Sequence, residues 1–121
     1  MPETHSTVRD EKRLLWYTEG LWKRAEQLIP FEVEIASIKE LDENCWFRSG
    51  GPTLREVLKH FERMQKADLT YPIILNHDGS LMDGGHRLCK ALLEGHTKIK
   101  AVQFSSMPVP DEVSDTRTSK L

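Results

Sequence analysis

An α+β domain is predicted from three observations: helical spacing of apolar residues in three segments, apolar–polar alternation in two others, and a strand–turn–strand signal running into a glycine-led helix. The predicted order is helix, strand, helix, strand–turn–strand, helix, strand. At 121 residues the chain is long enough for one domain with a modest core and no disulfide framework.

Residues 1–8 are polar, without periodicity, and are expected to be disordered. From Arg9 to about Leu28, Leu14, Leu15, Leu21, Trp22, Ala25 and Leu28 recur at helical spacing, which predicts an N-terminal helix that Gly20 weakens and Pro30 stops. Trp16 and Trp22 are assigned to packing this helix on the sheet. "FEVEIASI" (31–38) alternates and predicts a half-buried strand, followed by a loop through "KELDENCWFRSGG". Thr53 and Glu56 have capping-box spacing at the start of a second helix, whose residues Leu54, Val57, Leu58, Phe61 and Met64 share one face expected to be buried. "PIIL" predicts a short buried strand, "HDG" a turn and "SLMD" a return strand. A helix from about His86 to Glu94 ends at Gly95, and "TKIKAVQF" alternates as a last strand. The domain is therefore drawn over 9–104, with a largely disordered tail over 105–121.

Composition narrows the function classes. Seventeen Lys and Arg against nineteen Asp and Glu give a formal charge of −2, so no global basic field draws the chain to nucleic acid or anionic lipid. No run approaches the length of a membrane span, and the N-terminus has no apolar core of a signal peptide. Two cysteines, Cys45 and Cys89, fit a reducing compartment. A soluble cytoplasmic protein is the expectation.

The chemistry concentrates in "MDGGHR" (82–87). Acidic residues are favoured at helix starts, where the macrodipole is positive, yet His86 and Arg87 stand there behind Gly84 and Gly85. Free N–H groups, glycines that admit a ligand to the backbone, and an arginine suited to phosphate together make an anion site. The bland alternative is that Asp83 caps the helix and pairs with Arg87. His86 and Cys89 have loose metal spacing, but no second pair supports zinc.

Residues 72–104, "PIILNHDGSLMDGGHRLCKALLEGHTKIKAVQF", resemble the core of the ParB/sulfiredoxin superfamily, with the likeness extending over about 31–104. There a strand pair with a "DG" turn leads into a phosphate loop, a helix and a final strand. The resemblance implies a small mixed sheet with packed helices and binding of a nucleoside di- or triphosphate (ATP, ADP or CTP) with Mg²⁺. Sulfiredoxins carry "GCHR"; here Gly85 occupies the cysteine slot and Cys89 lies a turn further on, which argues against sulfinic-acid reduction. Partition proteins carry "GERR"-like residues and a further DNA-reading region, for which this chain has no room after its last predicted strand.

Free-serine kinases of the same fold have a "DGHTR"-like loop, the version nearest to "DGGHR". That likeness implies that Gly84, Gly85, His86 and Arg87 hold phosphates and that Asp83 orients the loop or a magnesium ion. It also implies a carboxylate base for a small hydroxyl acceptor, for which Asp42 and Glu43 are the nearest candidates. Arg55 falls near the place of a phosphate-binding lysine in sulfiredoxins; His60 and Arg63, about one turn apart on the second helix, have two readings, lining the same cleft or standing on the surface. Trp46 is read as core, with base stacking or a cover over the site as alternatives; His77 and His96 are read as surface residues. The competing function is a non-catalytic ParB-like regulatory or DNA-associated interaction module. A degenerate domain that keeps only an anion pocket is a third. Oligomeric state is not legible.

Overall fold

The computed structural model describes residues 3–116, as two sheets and three helices. The strands are β1 (Thr4–Arg9), β2 (Lys12–Tyr17), β3 (Phe31–Glu34), β4 (Ile73–Leu75), β5 (Leu81–Asp83), β6 (Lys98–Gln103) and β7 (Glu112–Asp115); the helices are α1 (Thr18–Ala25), α2 (Leu54–Lys66) and α3 (Gly85–Leu93). An α+β fold is what the sequence predicts, and its second half is placed as expected.

The central sheet has the order β3-β6-β4-β5. β6 runs antiparallel to β3 and parallel to β4, and β5 returns antiparallel beside β4. A three-residue strand of three apolar residues suits β4 because the sheet is covered on both faces. Ile73 and Leu75 pack with Leu88 and Ala91 of α3, Ile99 and Ala101 of β6, and Ile35 and Ile38. Ile74, turned the other way, packs with Val102, Met82, Leu14, Trp16, Leu21 and Ala25. α3 thus covers one face, while α1 and a second sheet cover the other.

That second sheet, β1-β2-β7, replaces the expected N-terminal helix over 9–28. Asp10 and Glu11 both have positive φ (53° and 63°), the backbone of a two-residue hairpin whose twist matches its strands. In β2, Leu14 and Trp16 alternate inward with Arg13 and Tyr17 exposed, so period two prevails over the helical spacing. The helix begins only at Thr18. The expected disorder over 1–8 is likewise replaced by β1 from Thr4 onward, and the tail contributes β7 beside β2. Trp16 is fully buried, and its Nε1–H donates to the Pro108 carbonyl at 3.0 Å, tying the C-terminal segment down. Residues 1–2 and 117–121, the ends of the two segments expected to be disordered, lie outside the described residues.

Two local expectations hold in detail. Thr53 Oγ1 accepts from the Glu56 N–H at 3.2 Å while Glu56 Oε1 accepts from the Thr53 N–H at 2.9 Å, a complete capping box. At the end of α3, Gly95 (φ 86°) donates to Leu92 and His96 to Ala91, closing a Schellman motif. Two differ. "FEVEIASI" forms strand only to Glu34 and then a 3-10 turn over Ile35–Ser37, with a second over Lys39–Asp42. The apolar stripe of α2 is not buried: no residue of this helix is.

Candidate functional site

β4 and β5 bring the chain to the top of the sheet, and Gly84 turns it into α3. A cleft of about 970 Å³ opens at this helix start. Its walls come from β5 and α3 (Asp83, Gly84, Gly85, His86, Arg87), the loop holding Glu43 and Trp46, Arg63 of α2, and the first strand with His5 and Arg9. β1 is not legible in the sequence because "THSTVR" carries almost no apolar signal; the β-branched Thr4, Thr7 and Val8 are its one hint.

Gly84 is the N-cap of α3, with φ 112° and no side chain capping the helix. Asp83 faces elsewhere. Its Oδ2 accepts from Arg87 at 2.8 Å and from Trp22 Nε1 at 2.8 Å, linking α1 to the first turn of α3. This ion pair is four-fifths or more buried on both sides, and it is the pairing named as the bland alternative. Arg87 Nε is buried with no acceptor in reach. Trp22 therefore serves the site, not only the sheet.

His86 lies edge to edge with His60 of α2, with Nε2 and Nδ1 2.7 Å apart, so one ring donates to the other. The Trp46 indole stacks across both, at 4.3 Å from His86 and 4.4 Å from His60, within 6° and 4° of parallel. Phe47 closes the far side edge-on to His60 at 5.1 Å. Burial, with the Arg63 guanidinium and His60 adding to it, pushes the His86 pKa down from 6.5 to about 4. Burial also lowers His60. At neutral pH both rings are uncharged. The two cations expected in the first turn reduce to one, Arg87, and Asp83 already balances it.

A pH dependence follows. Between pH 6.5 and about 4 the unfolded chain binds more protons at His86 than the folded chain does, so stability falls as pH is lowered through that window. Allowing for the partial exposure of the pair, the loss is about 1–2 kcal/mol. Urea titrations at pH 7 and pH 4.5 should show it, and His86→Asn should remove most of it. Equal pH dependence in wild type and variant would refute the assignment.

Of the other candidates, Glu43 lines the cleft from an exposed loop, whereas Asp42 and Arg55 are exposed and do not line it. His60 reaches the site only through His86. Arg63 lines it directly and is paired with Glu3. Glu40, not singled out from sequence, also lines the cleft, with Oε1 buried and without a hydrogen-bond partner. Cys89 is half-buried and burial raises its thiol pKa, which keeps it protonated. His77 and His96 are exposed, as expected. Among the described residues no group of three or more His, Cys, Asp or Glu could hold a metal ion, and no helix is long and apolar enough to cross a membrane.

Comparison with known proteins finds no matching family model, no matching curated protein and no matching solved structure.

Proposed function

We propose that the cleft at the start of α3 binds the phosphate end of a nucleoside di- or triphosphate, in the manner the ParB/sulfiredoxin resemblance implies. The observation that carries this reading is an uncapped helix start opening on a cleft beside a buried Arg87 Nε that lacks an acceptor. Helix-start N–H groups and a guanidinium are the donor set phosphate oxygens require. Arg63, on the facing helix, adds a second guanidinium. Trp46 over Gly85 and His86 acts as a cover that a ligand must displace or stack upon.

The residues fit a phosphate better than a resident magnesium ion. Magnesium is commonly held by one or two carboxylates plus phosphate oxygens and water. Asp83 has one oxygen engaged by Trp22 and Arg87, leaving Oδ1 for that minor share. Phosphotransfer to a small hydroxyl acceptor is the reaction this reading extends to. The acceptor oxygen would bond to the terminal phosphorus as its bond to the bridging oxygen breaks, the acceptor's proton would pass to a carboxylate, and the nucleotide one phosphate shorter would leave. Glu43, on the cleft wall, is the better placed of the two acids expected from sequence.

A second reading is favoured by the closed state of the site. With Arg87 paired to Asp83 and Trp46 lying over the helix start, a non-catalytic module that holds an anion without turnover has equal structural logic. Its DNA-associated form gains nothing from a net charge of −2.

Isothermal titration with ATP, ADP and CTP, with and without magnesium, tests the binding claim. Arg63→Ala and Arg87→Ala should each weaken binding about tenfold or more, the scale of one charged hydrogen bond. Arg63 is half-exposed, so its variant tests the site without disturbing the core. No heat with any of the three nucleotides would end the proposal. Binding without product formation would select the module reading.

A further inference from the structure

Helix α2 carries an apolar stripe that the rest of the described chain leaves open. Leu54 is 90% exposed, Leu58 55%, Val57 46% and Phe61 43%. Single exposed apolar residues are ordinary, but four on one face over two turns mark a contact surface. α2 meets α3 through His60 on His86, and Lys90 donates to the Gln65 and Ala67 carbonyls at its C-terminal end. The stripe lies on a different face from these contacts.

We infer that this stripe is the interface of a two-fold symmetric homodimer, in which α2 packs antiparallel on α2 of a second copy. Leu54, Leu58 and Phe61 follow the alternating four- and three-residue spacing of a coiled-coil seam, which Gln65 continues. Antiparallel pairing sets Leu58 of each copy against Phe61 of the other, with Leu54 over Gln65 at either end. The charges on the flank decide the partner and its direction. Arg55 and Glu62 occupy equivalent flanking positions one heptad apart, with opposite signs. Among the described residues neither has an ion-pair partner within the chain. In the antiparallel arrangement Arg55 of each copy meets Glu62 of the other, so one sequence element supplies two salt bridges. A parallel arrangement would set Glu62 against Val57 and leave both charges alone. A surface that complements itself in this way is what a two-fold interface requires. Val57 and Met64 fall on the opposite flank, toward the body of the domain, where no charge is needed.

The interface spans about three turns, placing it at the small, concentration-dependent end of dimer interfaces. Sedimentation equilibrium of the full chain over about a hundredfold range of concentration should show reversible monomer–dimer exchange. Leu58→Asp should give monomer throughout with an unchanged far-ultraviolet circular dichroism spectrum, because Leu58 is more than half exposed and belongs to neither core cluster. Arg55→Glu alone and Glu62→Arg alone should each weaken the dimer roughly tenfold, by setting like charges opposite each other twice. The double variant should restore it. Monomer at every concentration overturns the inference and reassigns the stripe to a different partner. A dimer that survives Leu58→Asp, or a double variant no tighter than its parents, overturns it as well.

Discussion

Gly84→Ala is expected to destabilise the fold by about 3 kcal/mol or more, a loss that urea denaturation at neutral pH would register as a large fall in midpoint. Two costs combine. The residue has φ 112°, where an L side chain is strained, and a Cβ there would lie 2.6 Å from Ile73 Cγ2 and 2.9 Å from Ile73 Cβ. Neither neighbour can yield. Ile73 is fully buried in β4, an inner strand of the central sheet, and its β-branched side chain has little rotamer freedom. Gly85→Ala provides the control one residue away. Its Cβ would meet the Trp46 ring edge at 3.1 Å, with an ordinary helical φ, so a small ring shift accommodates it. Helix propensity then favours alanine by up to about 1 kcal/mol, and the net change should lie within about 1 kcal/mol of zero. A Gly84→Ala variant as stable as Gly85→Ala would mean that the close approach to Ile73 is not a constraint. The two glycines that read as room for a ligand are thus spent on protein contacts, one against β4 and the other under Trp46.

How far the fold was legible depends on whether local signals agreed with long-range pairing. From Thr53 to Gln103 they did: a capping box, a turn over His77–Gly79, a C-terminal glycine and period-two alternation each specify one local geometry, and the tertiary structure keeps it. Residues 9–28 carry conflicting periods. Leu14, Leu21, Ala25 and Leu28 are spaced for a helix, while Leu14 and Trp16 are spaced for a strand. What decides is β7, nearly a hundred residues away in sequence, which supplies the partner edge for β2. A single-sequence reading cannot weigh that pairing. The same limit applies to α2, whose amphipathic pattern is real but points toward solvent. Periodicity identifies an apolar face without naming what covers it. At the site, "DGGHR" marks a helix start on a cleft, but the sequence alone presents His86 as a potential cation. Its neutrality comes from burial under Trp46 and from Arg63 and His60 beside it, which arrive from a loop and another helix. Likewise the Trp22–Asp83 bond needs α1 to lie over β5, a placement set by the core around Leu21 and Ile74.

Asp83 carries the second large expectation: Asp83→Ala should cost about 3 kcal/mol, since truncation strands the Arg87 charge in a mostly buried place. The Arg87 side chain is 16% exposed, its Nε already lacks an acceptor, and it stands at the positive end of α3. Trp22 loses its acceptor too, although its exposed position makes that the smaller part. Asp83→Asn keeps an oxygen for both donors and removes only the charge, so about half the loss is expected. The pair of variants separates structure from catalysis. A carboxylate needed only to orient substrate or magnesium would leave both proteins as stable as wild type while abolishing turnover. A counterion for Arg87 gives the graded loss instead. Phosphate provides the link to ligand binding. If Arg87 can leave Asp83 for a phosphate oxygen, added phosphate or nucleotide should raise the midpoint of Asp83→Ala more than that of wild type, because in the variant the ligand supplies the missing countercharge without first breaking an ion pair. Equal stabilisation of the two proteins would place the bound anion away from Arg87, and with it the phosphate away from the start of α3.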